Sequence, residues 1–123
     1  MGRLTTHVLD TTRGCPGSGI TISLFRVVND QRLKLHIEVT NDDGRCDQPL
    51  LENDEFIAGV YELVFSVGPY FSALELKNIA RDKNNGPLFL DDVVIRFGVA
   101  SSDEHYHVPL LITPYSYSTY RGS

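Results

Sequence analysis

Apolar and polar residues alternate with a period of two along most of the chain. In residues 33–39, leucine, isoleucine and valine alternate with lysine, histidine and glutamate, which predicts a strand with one buried face. Similar stretches recur at residues 4–9, 20–28, 61–67, 93–99, 106–112 and 115–121. Turn-forming residues separate several of these stretches. The pattern predicts a mostly β fold, a sandwich of two antiparallel sheets.

One stretch departs from this period. Between Ser72 and Lys83 the apolar residues recur at helical spacing, and Ser72 with Glu75 fits a capping box. The sequence Asn-Asn-Gly-Pro at residues 84–87 is a helix stop. We therefore predict one short helix in an otherwise β chain.

Composition and charge narrow the class of protein. The 123 residues fit one domain, 1–123, and 41% hydrophobic residues argue against disorder. Eleven basic and sixteen acidic side chains give a net charge of −5, which argues against nucleic acid or an anionic membrane as a partner. The N-terminus lacks the apolar core of a signal peptide, so a cytoplasmic protein is expected, with Cys15 and Cys46 as reduced thiols.

Two of the predicted strands have outward faces that are unusual for a solvated surface. Because successive side chains of a strand alternate between faces, each outward set is read from the sequence. The two sets are Thr5, His7 and Leu9, and His105, His107, Pro109 and Leu111. Apolar and imidazole groups on an outward face favour an interface in a symmetric oligomer. Pro109 cannot donate to a sheet ladder, so it is expected at an edge or facing a gap.

The same strands carry the candidate chemistry. Three of the four histidines lie on them, and histidine suits proton transfer near neutral pH. Arg45 follows the turn at residues 41–44 and is by itself typical of a solvated turn, just as a single strand histidine is typical of packing. Three histidines on neighbouring strands also suit zinc, but acidic or cysteine partners at ligand spacing are missing, so no metal site is predicted.

Four segments of the chain, taken together, point to one protein family, although no single segment does so. They are Leu4–Asp10, Asp43–Arg45, His105–Leu111 and Ser116–Ser123. In these segments the sequence resembles the transthyretin-related 5-hydroxyisourate hydrolases of urate breakdown. The terminal Tyr-Arg-Gly-Ser is the family feature that separates these enzymes from the hormone carrier transthyretin.

The resemblance implies a transthyretin-like two-sheet sandwich that hydrolyses 5-hydroxyisourate to 2-oxo-4-hydroxy-4-carboxy-5-ureidoimidazoline without a cofactor. It also implies a homotetramer, a dimer of dimers, with active sites in a channel between subunits. Water is the expected nucleophile, one histidine the general base, and arginine the group that stabilises the tetrahedral intermediate. The resemblance assigns catalysis to His7, Arg45 and His107, and substrate binding to Ser118, Tyr120, Arg121, Gly122 and Ser123.

Other interpretations remain at this stage. A transthyretin-like carrier would use the same channel for a small ligand without catalysis, and an immunoglobulin-like structural domain would share the sandwich. Which histidine is the base stays open. Residues 73–91 look longer than the family's usual connection, which predicts a surface excursion there.

Overall fold

The computed structural model describes residues 1–75 and 87–123, which form nine strands, one α-helix and a single 3-10 turn at Asn53–Glu55. In chain order the main elements are β1 Arg3–Asp10, β2 Cys15–Pro16, β3 Thr21–Val28, β4 Gln31–Val39, β5 Leu51–Glu52, β6 Gly59–Ser66, α1 Val67–Glu75, β7 Asp92–Val99, β8 Tyr106–Ile112 and β9 Tyr117–Thr119.

The strands form two sheets. One has the order β2-β1-β8-β9, with β5 also pairing with β1, and the other has the order β4-β3-β6-β7. The predicted mostly β fold of two sheets with one short helix is therefore confirmed. One strand pair, β1 with β8, is parallel, and the other pairs are antiparallel.

The core lies between the two sheets. Leu4 and Val8 of β1 and Leu110 and Ile112 of β8 are completely buried there. Each such side chain stabilises the fold by about 1.5–3 kcal/mol relative to an exposed position. Since strand side chains alternate, the predicted outward set on β1 lies on the opposite face of this sheet.

The strand with the clearest alternation, β4, leaves three of its four apolar residues exposed. Leu33, Ile37 and Val39 are 60%, 54% and 55% exposed, so the prediction that they form one buried face was wrong. β4 is an edge strand, and its pairing with β3 shifts register between Leu24 and Phe25. A shift of one residue sends alternate side chains to the other face of a sheet.

The helix begins earlier than predicted. α1 starts at Val67, so Ser72 lies inside it and the capping-box prediction was wrong. Pro69 lies in the first turn, where a missing N–H has no carbonyl partner to lose. The predicted helical residues 76–83, and most of the predicted excursion, lie outside the described residues. Among the helices of residues 1–75 and 87–123, none has the length and apolar character needed to cross a membrane.

Pro109 occupies a position in β8 that tolerates its missing N–H. The strand lies between β1 and β9, so it is not an edge. The N–H of His107 donates to the carbonyl of Gly122 (3.2 Å), and the hydroxyl of Thr119 donates to the carbonyl of Pro109 (2.7 Å). Residues i and i+2 of a strand direct their N–H groups to the same side. Pro109 therefore faces the interval between the end of β9 and Gly122, as the gap alternative predicts.

A buried carboxylate ties the end of β1 to α1. Asp10 is 1% exposed and accepts hydrogen bonds from the Tyr70 hydroxyl (2.6 Å) and the Arg13 Nε (3.1 Å). Burial, and the hydrogen bond to Asp10, raise the pKa of Tyr70 to about 12. A buried charge is stable when it is paired and hydrogen-bonded, so this cluster fixes where β1 ends.

Candidate active site

A cavity of about 530 Å³ opens on the outward face of the sheet that contains β1 and β8. Three parts of the chain meet there: β1, the segment of residues 45–49, and β8 with the last residue. The lining residues are Arg3, Thr5, Thr6, Arg45, Cys46, Asp47, Gln48, Pro49, His105, His107 and Ser123.

Two imidazoles lie side by side at this cavity. The ring centroids of His7 and His107 are 6.5 Å apart, with the planes tilted by 40°. The parallel register explains this proximity, because it places Thr5 opposite His107 and His7 opposite Pro109. Of the two histidines, His107 lines the cavity and His7 lies beside it.

A tight turn brings Arg45 to the histidines. The turn's backbone pairs with β1: Val8 N–H donates to the carbonyl of Gly44 (2.8 Å), and His7 and Arg45 form an antiparallel bridge. The φ of Gly44 is +75°, and a Cβ there would meet the carbonyl oxygen of Val8, so only glycine fits this contact. The Asn41 side-chain oxygen accepts from the backbone N–H groups of Asp43 (2.9 Å) and Arg45 (3.1 Å), which stiffens the turn.

Hydrogen bonds distinguish the two histidines. His7 Nε2 lies 2.9 Å from the carbonyl oxygen of Asp43. A carbonyl only accepts, so neutral His7 carries its proton on Nε2. His107 instead contacts the Thr5 hydroxyl through Nδ1, at 2.8 Å.

The surroundings of both histidines favour the neutral form. Burial lowers the pKa of His7 and of His107, and the positive charge of Arg45 lowers both further. His7 adds a smaller lowering effect on the pKa of His107. A neutral imidazole keeps one unprotonated nitrogen, which is what a general base needs.

The end of the chain closes one side of the cavity. Gly122 exchanges two backbone hydrogen bonds with His107, at 3.2 and 2.7 Å, and Ser123 follows into the cavity wall. A Cβ on Gly122 would lie 3.2 Å from the Cβ and the Cδ2 of His107, so the absence of a side chain permits the close approach. This contact places the last residue beside the histidine.

Four of the five predicted substrate-binding residues, Ser118, Tyr120, Arg121 and Gly122, do not line this cavity, although Gly122 pairs with His107 at its edge. Arg121 donates to the Glu104 carboxylate (3.1 Å) and to the His105 carbonyl (3.2 Å), and its guanidinium carbon lies 4.0 Å from the Tyr106 ring centroid. Arg121 therefore anchors the tail. Tyr120 lines a second cavity, of about 260 Å³, between β7 and β8, and Ser118 is an exposed residue of β9.

Comparison with known proteins identifies the family. The profile of the "HIUase/Transthyretin family" matches residues 4–122. The chain belongs to this family. The 5-hydroxyisourate hydrolase of Pseudomonas aeruginosa is 58% identical over 123 residues, which are 100% of this chain and 93% of that protein.

Similar solved structures agree with this assignment. The Klebsiella pneumoniae 5-hydroxyisourate hydrolase has a TM-score of 0.77 and 32% identity, with all of both chains covered. An (S)-allantoin synthase has a TM-score of 0.87 and 44% identity, and the match covers 99% of this chain but 44% of that one. The resemblance stated from the four sequence segments is confirmed.

Sequence reasoning missed several groups at this cavity. Thr5 lies on the same outward face of β1 as His7, and this shared face was the signal in the sequence that could have identified it. The backbone carbonyl of Asp43 has no such signal, because every residue carries a carbonyl. Cys46 also lines the cavity, but burial raises the pKa of its thiol to about 11, with the charges of Glu38 and Asp47 adding to the effect. A thiol that stays protonated at neutral pH is a poor nucleophile.

The zinc alternative has no matching cluster. Within residues 1–75 and 87–123, no group of three or more histidine, cysteine, aspartate or glutamate side chains is placed to hold a metal ion. The described part of the site offers imidazole, guanidinium and hydroxyl groups for direct contact with a ligand.

Proposed function

We propose that this chain hydrolyses 5-hydroxyisourate to 2-oxo-4-hydroxy-4-carboxy-5-ureidoimidazoline in the cavity beside His107, with water as the nucleophile. Relatives named 5-hydroxyisourate hydrolase match the whole length of this chain, and this similarity supports the activity. The observation that carries the choice of site is the meeting of His107, Arg45 and Ser123 on one cavity. Water, imidazole and guanidinium suffice for amide hydrolysis, so the reaction needs no cofactor.

In this mechanism His107 is the general base. Its imidazole faces the cavity, whereas the Nε2 of His7 is engaged by the carbonyl of Asp43. Neutral His107 takes a proton from water while the water oxygen attacks the ring carbonyl carbon. The proton then passes to the ring nitrogen as the C–N bond of the tetrahedral intermediate breaks. General base catalysis of this kind contributes ~10²–10⁴ in rate.

Arg45 has a separate part in the mechanism. Its guanidinium makes no hydrogen bond or ion pair with the described residues, so its five N–H donors are available to a ligand. The planar fork would bind the carbonyl oxygen on which negative charge develops. The hydroxyl of Ser123, which lines the same cavity, would orient the substrate ring.

The proposal includes a homotetramer, a dimer of dimers. In this chain β7 and β9 are each at the edge of a sheet, and edge strands offer unpaired backbone groups to a partner. Leu9 and Leu111 lie on the outward face that carries the histidines. A second sheet packed on this face would enclose the cavity.

The test is acceleration of substrate decay over the spontaneous rate. 5-Hydroxyisourate generated in situ by urate oxidase is followed by ultraviolet absorbance with and without the protein. We expect acceleration by the wild type and its near loss in His107→Ala, with His36→Ala on β4 as the matched histidine control. No acceleration, together with tight binding of a hydrophobic fluorescent probe in the cavity, would favour the carrier alternative.

A further inference from the structure

Thr5 is outside the predicted set of site residues, yet its side chain contacts His107 directly. Its hydroxyl lies 2.8 Å from Nδ1 of His107, and its side chain lines the same cavity. The parallel register places the two residues directly opposite each other. The contact therefore follows from the sheet itself, because strand pairing fixes both backbones.

This contact determines which ring nitrogen of His107 faces the cavity. A neutral imidazole has one N–H and one lone pair, so engaging Nδ1 leaves Nε2 for the cavity. The Thr5 hydroxyl could donate to Nδ1 or accept from it. The role of His107 as base requires that the lone pair of the ring faces the cavity, where the substrate binds. In the proposed mechanism the lone pair is therefore on Nε2 and the proton on Nδ1, and the Thr5 hydroxyl accepts the hydrogen bond from Nδ1–H.

Resting on the proposed function, we infer that Thr5 is a positioning residue that holds the Nδ1–H of His107 and so leaves Nε2 unprotonated to act as the base. When water gives its proton to Nε2, the imidazolium keeps its Nδ1–H bonded to Thr5. When the proton leaves for the ring nitrogen of the substrate, the same tautomer is restored. Thr5 thus acts without touching the reacting atoms.

A spectroscopic experiment tests the tautomer independently of activity. The ¹⁵N chemical shifts of the His107 ring, measured at neutral pH on the full chain, report which nitrogen carries the proton. We expect Nδ1–H in the wild type and a shift toward Nε2–H in Thr5→Val, whose side chain has the same shape but no hydroxyl. A wild-type ring protonated on Nε2, or equal tautomer populations in the two proteins, would overturn the inference.

Kinetics with a matched control test the consequence. Thr11→Val is the control, because the Thr11 hydroxyl also donates to β8, to the carbonyl of Ile112 (3.1 Å), but lies outside the cavity. We expect Thr5→Val to lower kcat about tenfold to a hundredfold, within the ~10²–10⁴ contribution of the base itself, with KM changed little. Thr5→Ser should restore most of the rate, and Thr11→Val should leave it unchanged.

The pH profile separates positioning from a structural role. The charged and titratable side chains around His107 are Arg3, Arg45, Cys46, Asp47 and His105 in the cavity and His7 beside it, and they are the same in every variant. Without Thr5 the imidazolium loses a hydrogen-bond acceptor, so the acid limb of kcat/KM should move to lower pH in Thr5→Val. A lower rate with an unmoved acid limb, with or without a lower melting temperature, would contradict the inference. A wild type without hydrolysis would instead overturn the proposed function, while the tautomer remains measurable.

Discussion

The two histidines of the site have the same side chain but different surroundings. His7 is fixed by a backbone carbonyl through Nε2, whereas His107 is fixed by Thr5 through Nδ1. Their order along the chain is visible in the sequence, and so is the outward face they share. Their tautomers are not visible, because these depend on which backbone groups the strand register and the turn bring within hydrogen-bond distance.

The lowered pKa of His107 predicts the direction of the pH dependence. Burial and the charge of Arg45 disfavour the imidazolium, so the ring stays neutral to a lower pH than the ordinary 6.5. The rate should therefore be constant near neutral pH and fall as the pH drops through the lowered pKa. kcat/KM measured from pH 8 to pH 4.5 checks this, and a rate still flat at pH ~4.5, well below the reference of ~6.5, would remove both histidines from the role of base.

Two substitutions of Arg45 distinguish the effect of its positive charge from the effect of its planar guanidinium. Arg45→Ala removes a positive charge that lowers both histidine pKa values, so the acid limb of kcat/KM should move to higher pH. Arg45→Lys keeps the charge and loses the planar fork, so kcat should fall while the limb stays in place. The loss of kcat from one oxyanion donor is typically ~10²–10³. An acid limb that moves equally in both variants would contradict this assignment.

At the level of elements, the turn of residues 41–45 carries two functional groups at once. It supplies the carbonyl that fixes His7 and the guanidinium of Arg45, and it rests on β1 through Gly44. The sequence signals a turn here, but the approach of its backbone to β1 depends on contacts between distant segments. The turn and the strand therefore have to be considered as one unit.

Gly44→Ala tests this unit. Alanine at φ +75° is strained and its Cβ meets Val8, so the turn must move away from β1. We expect a loss of about 1–3 kcal/mol in the free energy of unfolding and a loss of activity greater than tenfold. Gly14→Ala is the control, because φ there is +67° but nothing lies within 4 Å. Equal activity in the two variants, measured beside chemical denaturation, would mean that the turn does not position the site.

The helix and β4 show where local sequence patterns fail. Gly68-Pro69 looks like a stop after a strand, yet proline is tolerated in a first helical turn, and α1 begins one residue before Gly68. In β4 the regular alternation is real, but the register shift and the edge position determine which side chains are covered. The start of the helix and the exposure of β4 depend on contacts with neighbouring elements, and the spacing of apolar residues in the sequence does not describe these contacts.

For the whole molecule, the central prediction is assembly. We expect a homotetramer, a mass four times the 13.8 kDa of one chain, by native mass spectrometry or sedimentation. Leu111→Arg places a charge on the outward face and should shift the species toward smaller oligomers with loss of activity. A fully active monomer would contradict both the assembly and the need for a second sheet over the cavity. The single domain and the cytoplasmic location remain predictions from the sequence.

The parallel pairing of β1 with β8 also affects the order in which the chain folds. The β3–β4 and β6–β7 pairs join neighbours along the chain, and β3–β6 joins segments about forty residues apart, but this pair joins segments about a hundred residues apart, such as Thr5 and His107. Non-local pairings of this kind are the slow steps of folding, since a long loop must close before any contact is gained. A newly made chain can thus acquire most of its hairpins while it is still inert, and catalytic competence arrives only when its two ends meet.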